Sequence, residues 1–392
     1  MVKDNQRIAF ADWLRVVACF LVMLVHASEN FYGVVTQKAI ESIPGGAEKL
    51  ADFATNTGGM AGDKAVLLNE ANRFWVAFYD GGVARTCVPL FMIISAFLLV
   101  PMKPGVTMTQ FYRRRFMRIL PPMIIFMLLY TFLPVLWGEM TIDDSWRILA
   151  TLPFNFPENA GHLWFMYPLI SLYLIIPVVS PWLQQASAKD ERTFIWLFVA
   201  STFIPWIHTF LAPELWGECF WNRFSMLWYC SGYLGYLVVA HYVRYHLAWN
   251  RSKRLRIGAL CFLVGAIFTA WSFWWKGEPL QPIATPLLEW SWEFCTPNVL
   301  LATFGAFLLF TCIEQPKAPA IITQLSKLSY GMYLMHIFFL SNIAAAFVQE
   351  NPAAPIIPVY LAIPAIAILT FLCCALTSKL ISLVPGSKWI IG

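Results

Sequence analysis

The first apolar segment carries two ionisable side chains, Arg15 and His26, in a region where a membrane helix ordinarily has none. They lie eleven positions apart, about three helical turns, so both side chains project from one face of a helix. The rise of 1.5 Å per residue separates them by roughly 16 Å, about half the hydrocarbon thickness of a membrane. Ionisable groups at such depth are costly and usually mark a functional path through the bundle interior.

Glu29 follows His26 by three residues and therefore shares its helix face. A carboxylate in this position can orient the imidazole and raise its basicity, which is the arrangement of a general base. Each residue also has a structural interpretation. Arg15 can pair with Asp12 at i−3, and His26 can be a hydrogen-bonded core histidine.

The second apolar segment places Arg85 near its outer end and Ser95 in its inner half. Pro89 between them leaves a backbone carbonyl free, which can kink the helix or line a cavity. Arg85 is also consistent with a side chain that snorkels to the interface, and Ser95 with a packing contact between helices.

Arg115 and Arg118 belong to a basic cluster, 111–118, at the predicted inner mouth of the third segment. They are three residues apart and share a helix face. The planar guanidinium fork suits phosphate, so a nucleotide or CoA phosphate is a fitting ligand. Anchoring of the topology and binding of anionic lipid explain the same pattern equally well.

Two further segments hold polar and aromatic residues at predicted span ends. His162 and Trp164 open the fourth segment at the outer face, where we expect His162 to be accessible and either to contact an acceptor or to cap the helix. Tyr330 and His336 lie near the inner start of the ninth segment and only loosely share a face, so His336 is as consistent with a core histidine as with a ligand-binding one. The remaining histidines lie near span ends and are assigned no role: His208, His241 and His246.

The composition is that of a membrane protein. Only 12% of the 392 residues are charged and 59% are hydrophobic, whereas soluble domains average about 25% charged. The apolar segments run from end to end, which predicts an all-α polytopic membrane helix bundle that forms one domain over 1–392, with an external polar loop at about 33–72. We predict ten spans, at roughly 8–30, 82–101, 117–137, 161–183, 193–212, 223–243, 256–275, 294–313, 328–349 and 356–384.

The loop charges predict the orientation. Of the 27 lysines and arginines, 18 lie on one side of the predicted spans and 7 on the other, which places both termini in the cytoplasm. The net charge of +5 reflects this asymmetry and is not a nucleic-acid-binding signature, since the basic residues are scattered over short loops. No Cys-x2-Cys or similar metal spacing occurs, so no metal site is predicted.

Together these motifs resemble the integral-membrane acyltransferase-3 family. The family's glycines after the first Arg and between Ser and Phe are replaced by Val16 and Ala96, which bears on packing and not on ionisable positions. The resemblance rests on seven motifs in order: Asp12-Trp-Leu-Arg15 with His26, Arg85-x-x-Val-Pro89-x-Phe91, Ser95-Ala-Phe97, Arg115-x-x-Arg118-Ile-x-Pro121, His162-Leu-Trp-Phe165, Gly232-Tyr-Leu-Gly235 and Ser329-Tyr-x-x-Tyr333-Leu-x-His336.

The resemblance implies a multi-pass enzyme of the bacterial cytoplasmic (inner) membrane. It would move an acyl group, most often acetyl, from cytoplasmic acyl-CoA to a hydroxyl of a cell-surface glycan or lipid-linked sugar, without a tightly bound cofactor. The predicted catalytic residues are His26, Arg15 and Glu29. The predicted substrate-binding residues are Arg85, Ser95, Arg115, Arg118, His162, Trp164, Tyr330 and His336.

Two chemical routes fit this activity. His26 either deprotonates the acceptor hydroxyl for direct attack on the thioester, or a side chain carries the acyl group covalently. We favour direct transfer, because no Ser or Cys lies an obvious helical step from His26 on its own helix. The alternatives are a transporter or flippase of a lipid-linked sugar or other solute, and a membrane scaffold or sensor. The acceptor, the acyl chain and the oligomeric state are not predicted.

Overall fold

The computed structural model describes residues 8–31, 70–152, 155–210, 227–276, 289–348 and 357–392. Within these ranges the regular elements are helices and no strand occurs, as the all-α prediction requires. The helices, in chain order, are α1 (Ala9–Glu29), α2 (Glu70–Leu99), α3 (Met108–Leu136), α4 (Ile142–Thr151), α5 (Met166–Gln185), α6 (Ala188–Ser201), α7 (Ile204–Phe210), α8 (Tyr233–Tyr245), α9 (Arg251–Lys276), α10 (Pro297–Thr311), α11 (Ala320–Val348), α12 (Val359–Ile381) and α13 (Lys388–Ile391).

Among the described helices, seven are long and apolar enough to cross a membrane: α1, α2, α3, α5, α9, α11 and α12. The chain is therefore a multi-pass membrane protein. Shorter helices lie where the other three spans were predicted: α6 and α7 overlap 193–212, α8 overlaps 223–243, and α10 overlaps 294–313. The predicted external loop falls almost wholly outside the described residues, and α2 begins at Glu70 rather than near residue 82.

Helix α1 lies at the centre of the bundle and packs against α2, α10, α11 and α12. It is the most deeply buried of the seven long helices. Near its start, the carboxylate of Asp12 is buried and accepts a hydrogen bond from Ser326 of α11, at 2.7 Å. About two turns further, Cys19 contacts the Ser329 carbonyl of the same helix. These polar contacts fix α1 against α11 along the face that carries Arg15 and His26.

The start of α3 is set by a reciprocal cap. The Thr107 hydroxyl accepts from the Gln110 amide, and the Gln110 side chain accepts from the Thr107 amide, both at 3.2 Å. Such capping boxes satisfy two otherwise unpaired donors at a helix start. Arg115 and Arg118 lie within the first three turns, so the cap helps to define where their guanidinium groups lie. Helix α4 begins after a similar reciprocal cap, formed by Thr141 and Asp144.

Helices α9 and α10 pack backbone against backbone. A Cβ atom added to Gly305 of α10 would overlap the Phe262 nitrogen, and one added to Gly265 of α9 would overlap the Asn298 carbonyl oxygen. Small residues at such crossings allow close approach of membrane helices, whose association depends on van der Waals packing.

We expect Gly305→Ala to destabilise the protein by about 1–3 kcal/mol, because the opposing atoms are backbone and cannot rotate away. The thermal midpoint of the purified protein in detergent measures this. The matched control is Gly161→Ala, where an added Cβ meets nothing within 4 Å. An unchanged midpoint for Gly305→Ala would show that the two helices are not packed this closely.

Candidate active site

His26 and Glu29 form a dyad on the last turn of α1. The imidazole Nδ1 lies 2.7 Å from Oε2 of Glu29, and both side chains are largely buried. Because the carboxylate accepts, this contact places the proton on Nδ1 and leaves Nε2 as the nitrogen that can take a proton. The geometry is that of an oriented general base.

The imidazole of His26 lies together with two others, those of His162 and His336. The His26 and His336 ring centroids are 5.2 Å apart, and those of His162 and His336 are 4.7 Å apart. His336 is fully buried and His162 is 4% exposed. The expectation that His162 is accessible from outside is therefore wrong, because the ring packs edge-on against Tyr130, Tyr333 and His336. The structure brings together histidines from α1, α11 and the turn before α5.

The buried imidazoles each use one ring nitrogen. Nδ1 of His336 lies 2.6 Å from the Tyr333 carbonyl, and Nε2 of His162 lies 3.3 Å from the Leu334 carbonyl. A carbonyl only accepts, so these nitrogens donate. The other nitrogens, Nε2 of His336 and Nδ1 of His162, are buried and have no hydrogen-bond partner among the described residues. Each is thus available to accept a proton or a hydrogen bond from a bound molecule.

A cavity of about 400 Å³, the inner cavity, lies between α1, α2, α3, α5 and α11 and extends to Tyr333. Its volume is in the range of small-molecule sites. It gathers five of the predicted residues, Arg15, Ser95, Arg115, Arg118 and Tyr330. Lys327 adds a further cation, and none of the described residues that line the cavity is acidic.

The cations of this inner cavity differ in exposure. Arg115 is half-buried and Arg118 is exposed at the mouth. Arg15 lies deeper along α1, and its guanidinium is 3.9 Å from the Asp12 carboxylate, as the i−3 spacing allows. The same side chain also lines the cavity. The arrangement provides positive charge at the mouth and an interior lined by both hydroxyl groups and apolar side chains.

Tyr333 joins the inner cavity to the imidazoles. Its ring lines the cavity together with Phe165, and the two ring centroids are 5.8 Å apart. Its hydroxyl donates to the His162 carbonyl, and its ring lies 5.9 Å from that of His336. The inner cavity therefore ends against the aromatic residues that surround the histidine cluster.

Arg85 is held by a bidentate ion pair with Asp80. The Nε and Nη2 atoms lie 2.8 Å and 3.2 Å from the two carboxylate oxygens, and Asp80 is fully buried. Residues 77–84 form a π-helix within α2, closed by a bond from the Arg85 amide to the Asp80 carbonyl. In an α-helix, residues five apart point about 140° apart. The wider π turn brings the two side chains onto one side, and such insertions often occur at functional sites.

A second cavity, of about 250 Å³, lies next to Arg85. Its lining combines aromatic rings with two carboxylates: Arg85, Trp164, Tyr233, Glu289, Trp292, Glu293 and Phe294. Arg85 lies over the Trp292 ring at 4.3 Å, and Trp164 stacks on Phe294 at 5.7 Å. Helix α1, which carries the dyad, packs against the π-helical part of α2 that carries Asp80.

Of the predicted residues, Arg85 and Trp164 lie at this second cavity and not at the inner one. Sequence reasoning missed Asp80, Glu289 and Glu293. Two signals were present. Asp80 precedes a Gly-Gly pair directly before the second predicted span, and Glu289 and Glu293 are four residues apart just before another, where carboxylates are costly.

Burial and the neighbouring carboxylate of Glu289 raise the pKa of Glu293 from its ordinary value of 4.5 to about 7. A group whose folded pKa is raised stabilises the fold when protonated, so this contribution is lost as the pH rises from about 4.5 through 7. We expect Glu293→Gln to have a thermal midpoint close to that of the wild type near pH 5 and a higher one near pH 8.

Thermal unfolding in detergent at several pH values measures this difference. The control is Glu314→Gln, which removes an exposed carboxylate that pairs with Arg254 far from this cavity. A midpoint difference for Glu293→Gln that does not change with pH would contradict the assignment.

Comparison with known proteins gives the family. The model of the acyltransferase-3 family, described as an acyltransferase domain, matches residues 8–379, essentially the whole chain. No curated protein and no solved structure is significantly similar to the chain. Since the match spans the helices that form both cavities and the histidine cluster, the chain belongs to the acyltransferase-3 family and is an acyltransferase.

Proposed function

We propose that this protein is a membrane O-acyltransferase that moves an acyl group, most often acetyl, from cytoplasmic acyl-CoA to a hydroxyl of a cell-surface glycan or lipid-linked sugar. The observation that carries this proposal is the position of the His26–Glu29 dyad. His26 belongs to the histidine cluster, which adjoins the end of a cationic cavity at Tyr333, and a cavity of aromatic rings and carboxylates lies next to Arg85.

The proposal includes ten spans with both termini in the cytoplasm, in the inner membrane of a bacterium. Three shorter helical regions, α6–α7, α8 and α10, coincide with the spans that the seven long helices do not supply. The excess of Lys and Arg on one side gives the orientation. In that orientation the cationic cavity opens to the cytoplasm, where acyl-CoA is made, and the second cavity lies toward the outside.

Arg115 and Arg118 hold the phosphates of CoA at the inner mouth, with Arg15 organising the donor further in. Arginine pairs bidentately with phosphate, and the absence of acidic residues among the described lining residues favours an anion. The pantetheine arm then extends between Ser95 and Tyr330 toward Tyr333. The roughly 16 Å between Arg15 and His26 along α1 is the distance that this arm must cover.

The second cavity binds the acceptor. Trp164, Trp292 and Phe294 present aromatic surface, and Glu289 and Glu293 present hydrogen-bond acceptors for hydroxyl groups. This combination suits a sugar, which has apolar faces and hydroxyl edges. Arg85 orients the acceptor or the acyl carbonyl from the edge of the cavity, while Asp80 holds its guanidinium in place.

In the reaction, Nε2 of His26 takes the proton of the acceptor hydroxyl as its oxygen attacks the thioester carbonyl carbon. The new C–O ester bond forms, the C–S bond breaks, and the CoA thiolate leaves with the proton from His26 as free thiol. Glu29 stabilises the imidazolium formed between these steps. His336 and His162 offer ring nitrogens that have no partner among the described residues. A covalent acyl-enzyme is the alternative route, and trapping of labelled protein distinguishes the two.

The rival function is a transporter of a lipid-linked sugar, because two cavities on either side of buried charges also suit alternating access. The two functions differ in their need for acyl-CoA. A transporter moves its substrate without binding acyl-CoA and leaves it unmodified.

We expect purified wild-type protein to bind acetyl-CoA, and Arg115→Ala/Arg118→Ala to weaken that affinity about 100-fold or more, since each of the two charge-assisted contacts contributes about 1.5–3 kcal/mol. Calorimetry in detergent measures both. The matched control is Arg113→Ala/Arg114→Ala, which removes the same charge from exposed positions on the same helix. No binding of acetyl-CoA to the wild type would favour the transporter, and equal loss in the two double variants would place the phosphates elsewhere.

We expect Glu29→Gln to lower turnover at least about 10-fold while acetyl-CoA affinity stays at the wild-type value, because the carboxylate supports the base and does not touch the donor. Release of free CoA thiol by purified enzyme with an oligosaccharide acceptor measures turnover. Glu70→Gln, at the exposed start of α2, is the control. Wild-type turnover in Glu29→Gln would remove this residue from the mechanism.

A further inference from the structure

A second group of histidines lies away from the active site. It is found where the start of α6 meets the end of α8, whereas Tyr233 at the start of α8 lines the second cavity. Glu191 is in the first turn of α6, His241 is near the end of α8, and His246 directly follows α8. Oε1 of Glu191 lies 2.8 Å from Nδ1 of His241 and 2.9 Å from Nε2 of His246. One ligand atom from each residue lies within 4.8 Å of the others.

The carboxylate in this group is buried, and its contacts are with imidazoles, which carry a charge only when protonated. Glu191 is 0% exposed and His241 is 3% exposed, whereas His246 is partly open to solvent. Both imidazoles approach the same oxygen, and Oε2 of Glu191 is buried with no hydrogen-bond partner among the described residues. An ionised carboxylate is costly to bury unless it is paired or coordinates a metal.

The arginine nearest in sequence to the two histidines is directed elsewhere, and Arg192, next to Glu191, is exposed. Arg244 donates from Nη1 to the Phe97 carbonyl at the end of α2, and its guanidinium lies over the rings of Phe97 and Tyr245. These contacts, and not Glu191, occupy its guanidinium. A cation from solution would neutralise Glu191, and the exposed edge of His246 provides a way in.

We propose that Glu191, His241 and His246 bind a divalent first-row transition metal ion, with Zn²⁺ as the best fit. Two imidazole nitrogens and one carboxylate oxygen are a common zinc ligand set, and zinc leaves a fourth position for water in such sites. Zn–N and Zn–O bonds of about 2.0–2.2 Å separate neighbouring ligand atoms by roughly 3.3 Å in a tetrahedron. The two oxygen–nitrogen distances of 2.8 Å and 2.9 Å reach that separation by lengthening by about half an ångström.

The metal would have a structural role at the inner ends of the helices. It would join α6 to the end of α8, and α8 in turn contacts α2 through Arg244 and the Phe97 carbonyl. Ser95, two residues earlier on α2, lines the inner cavity. Bound zinc would thus hold one wall of the cavity without touching the reacting atoms, so the proposal is independent of the transferred group.

The test is a zinc determination on the full chain, purified in detergent through a tag without histidine. The protein is incubated with Zn²⁺, desalted and analysed for bound metal by mass spectrometry, with its thermal midpoint measured before and after chelation. We expect about one zinc per wild-type chain and a midpoint that falls on chelation. Glu191→Gln and His246→Ala should each lose most of this zinc.

Two further variants separate loss of a ligand from loss of the fold. His246→Cys, which substitutes another zinc ligand at a partly exposed position, should retain the zinc that His246→Ala loses. Glu314→Gln, an exposed carboxylate near the same face, should bind as the wild type does. The proposal is overturned if wild-type protein holds no more zinc than Glu191→Gln, or if His246→Ala binds one zinc per chain; the group is then a hydrogen-bonded His–Glu–His contact.

Discussion

The structure depends on how the polar and charged side chains of α1 and α2 are paired, because an unpaired ionisable group in a membrane is costly. Along α1, Asp12 accepts from Ser326 and His26 contacts Glu29. In α2, Asp80 holds Arg85. Each of these contacts holds a polar side chain inside the bundle, where it does not face lipid. The chemistry of the site and the packing of the helices therefore rest on the same contacts.

The π-helix of α2 shows how a local distortion serves this constraint. A regular α-helix would point Asp80 and Arg85 away from each other, so the arginine would need a carboxylate from another helix. The π turn supplies one from the same helix, and Gly81 makes room for Trp292, whose ring lies under Arg85. The backbone irregularity thus assembles one side of the second cavity.

Features that a single helix determines could be predicted from the sequence. The helical spacing of Arg15, His26 and Glu29 set one face of α1, and the basic cluster in the first turns of α3 indicated the cationic mouth of a cavity. The burial of His162 could not be predicted, because it depends on rings from α3 and α11. The second cavity and the group of Glu191, His241 and His246 could not be predicted for the same reason, since their residues come from distant segments that only the fold brings together.

The central claim is that the His26–Glu29 dyad performs the acyl transfer between the two cavities. The most direct test is the O-acetyl content of the cell-surface glycans in bacteria that express the wild type or His26→Ala at equal protein level. Loss of the enzyme-dependent O-acetyl groups in the variant, with its acetyl-CoA affinity retained, is the result that the dyad predicts. Full O-acetylation by His26→Ala would contradict it and would assign the base to another residue.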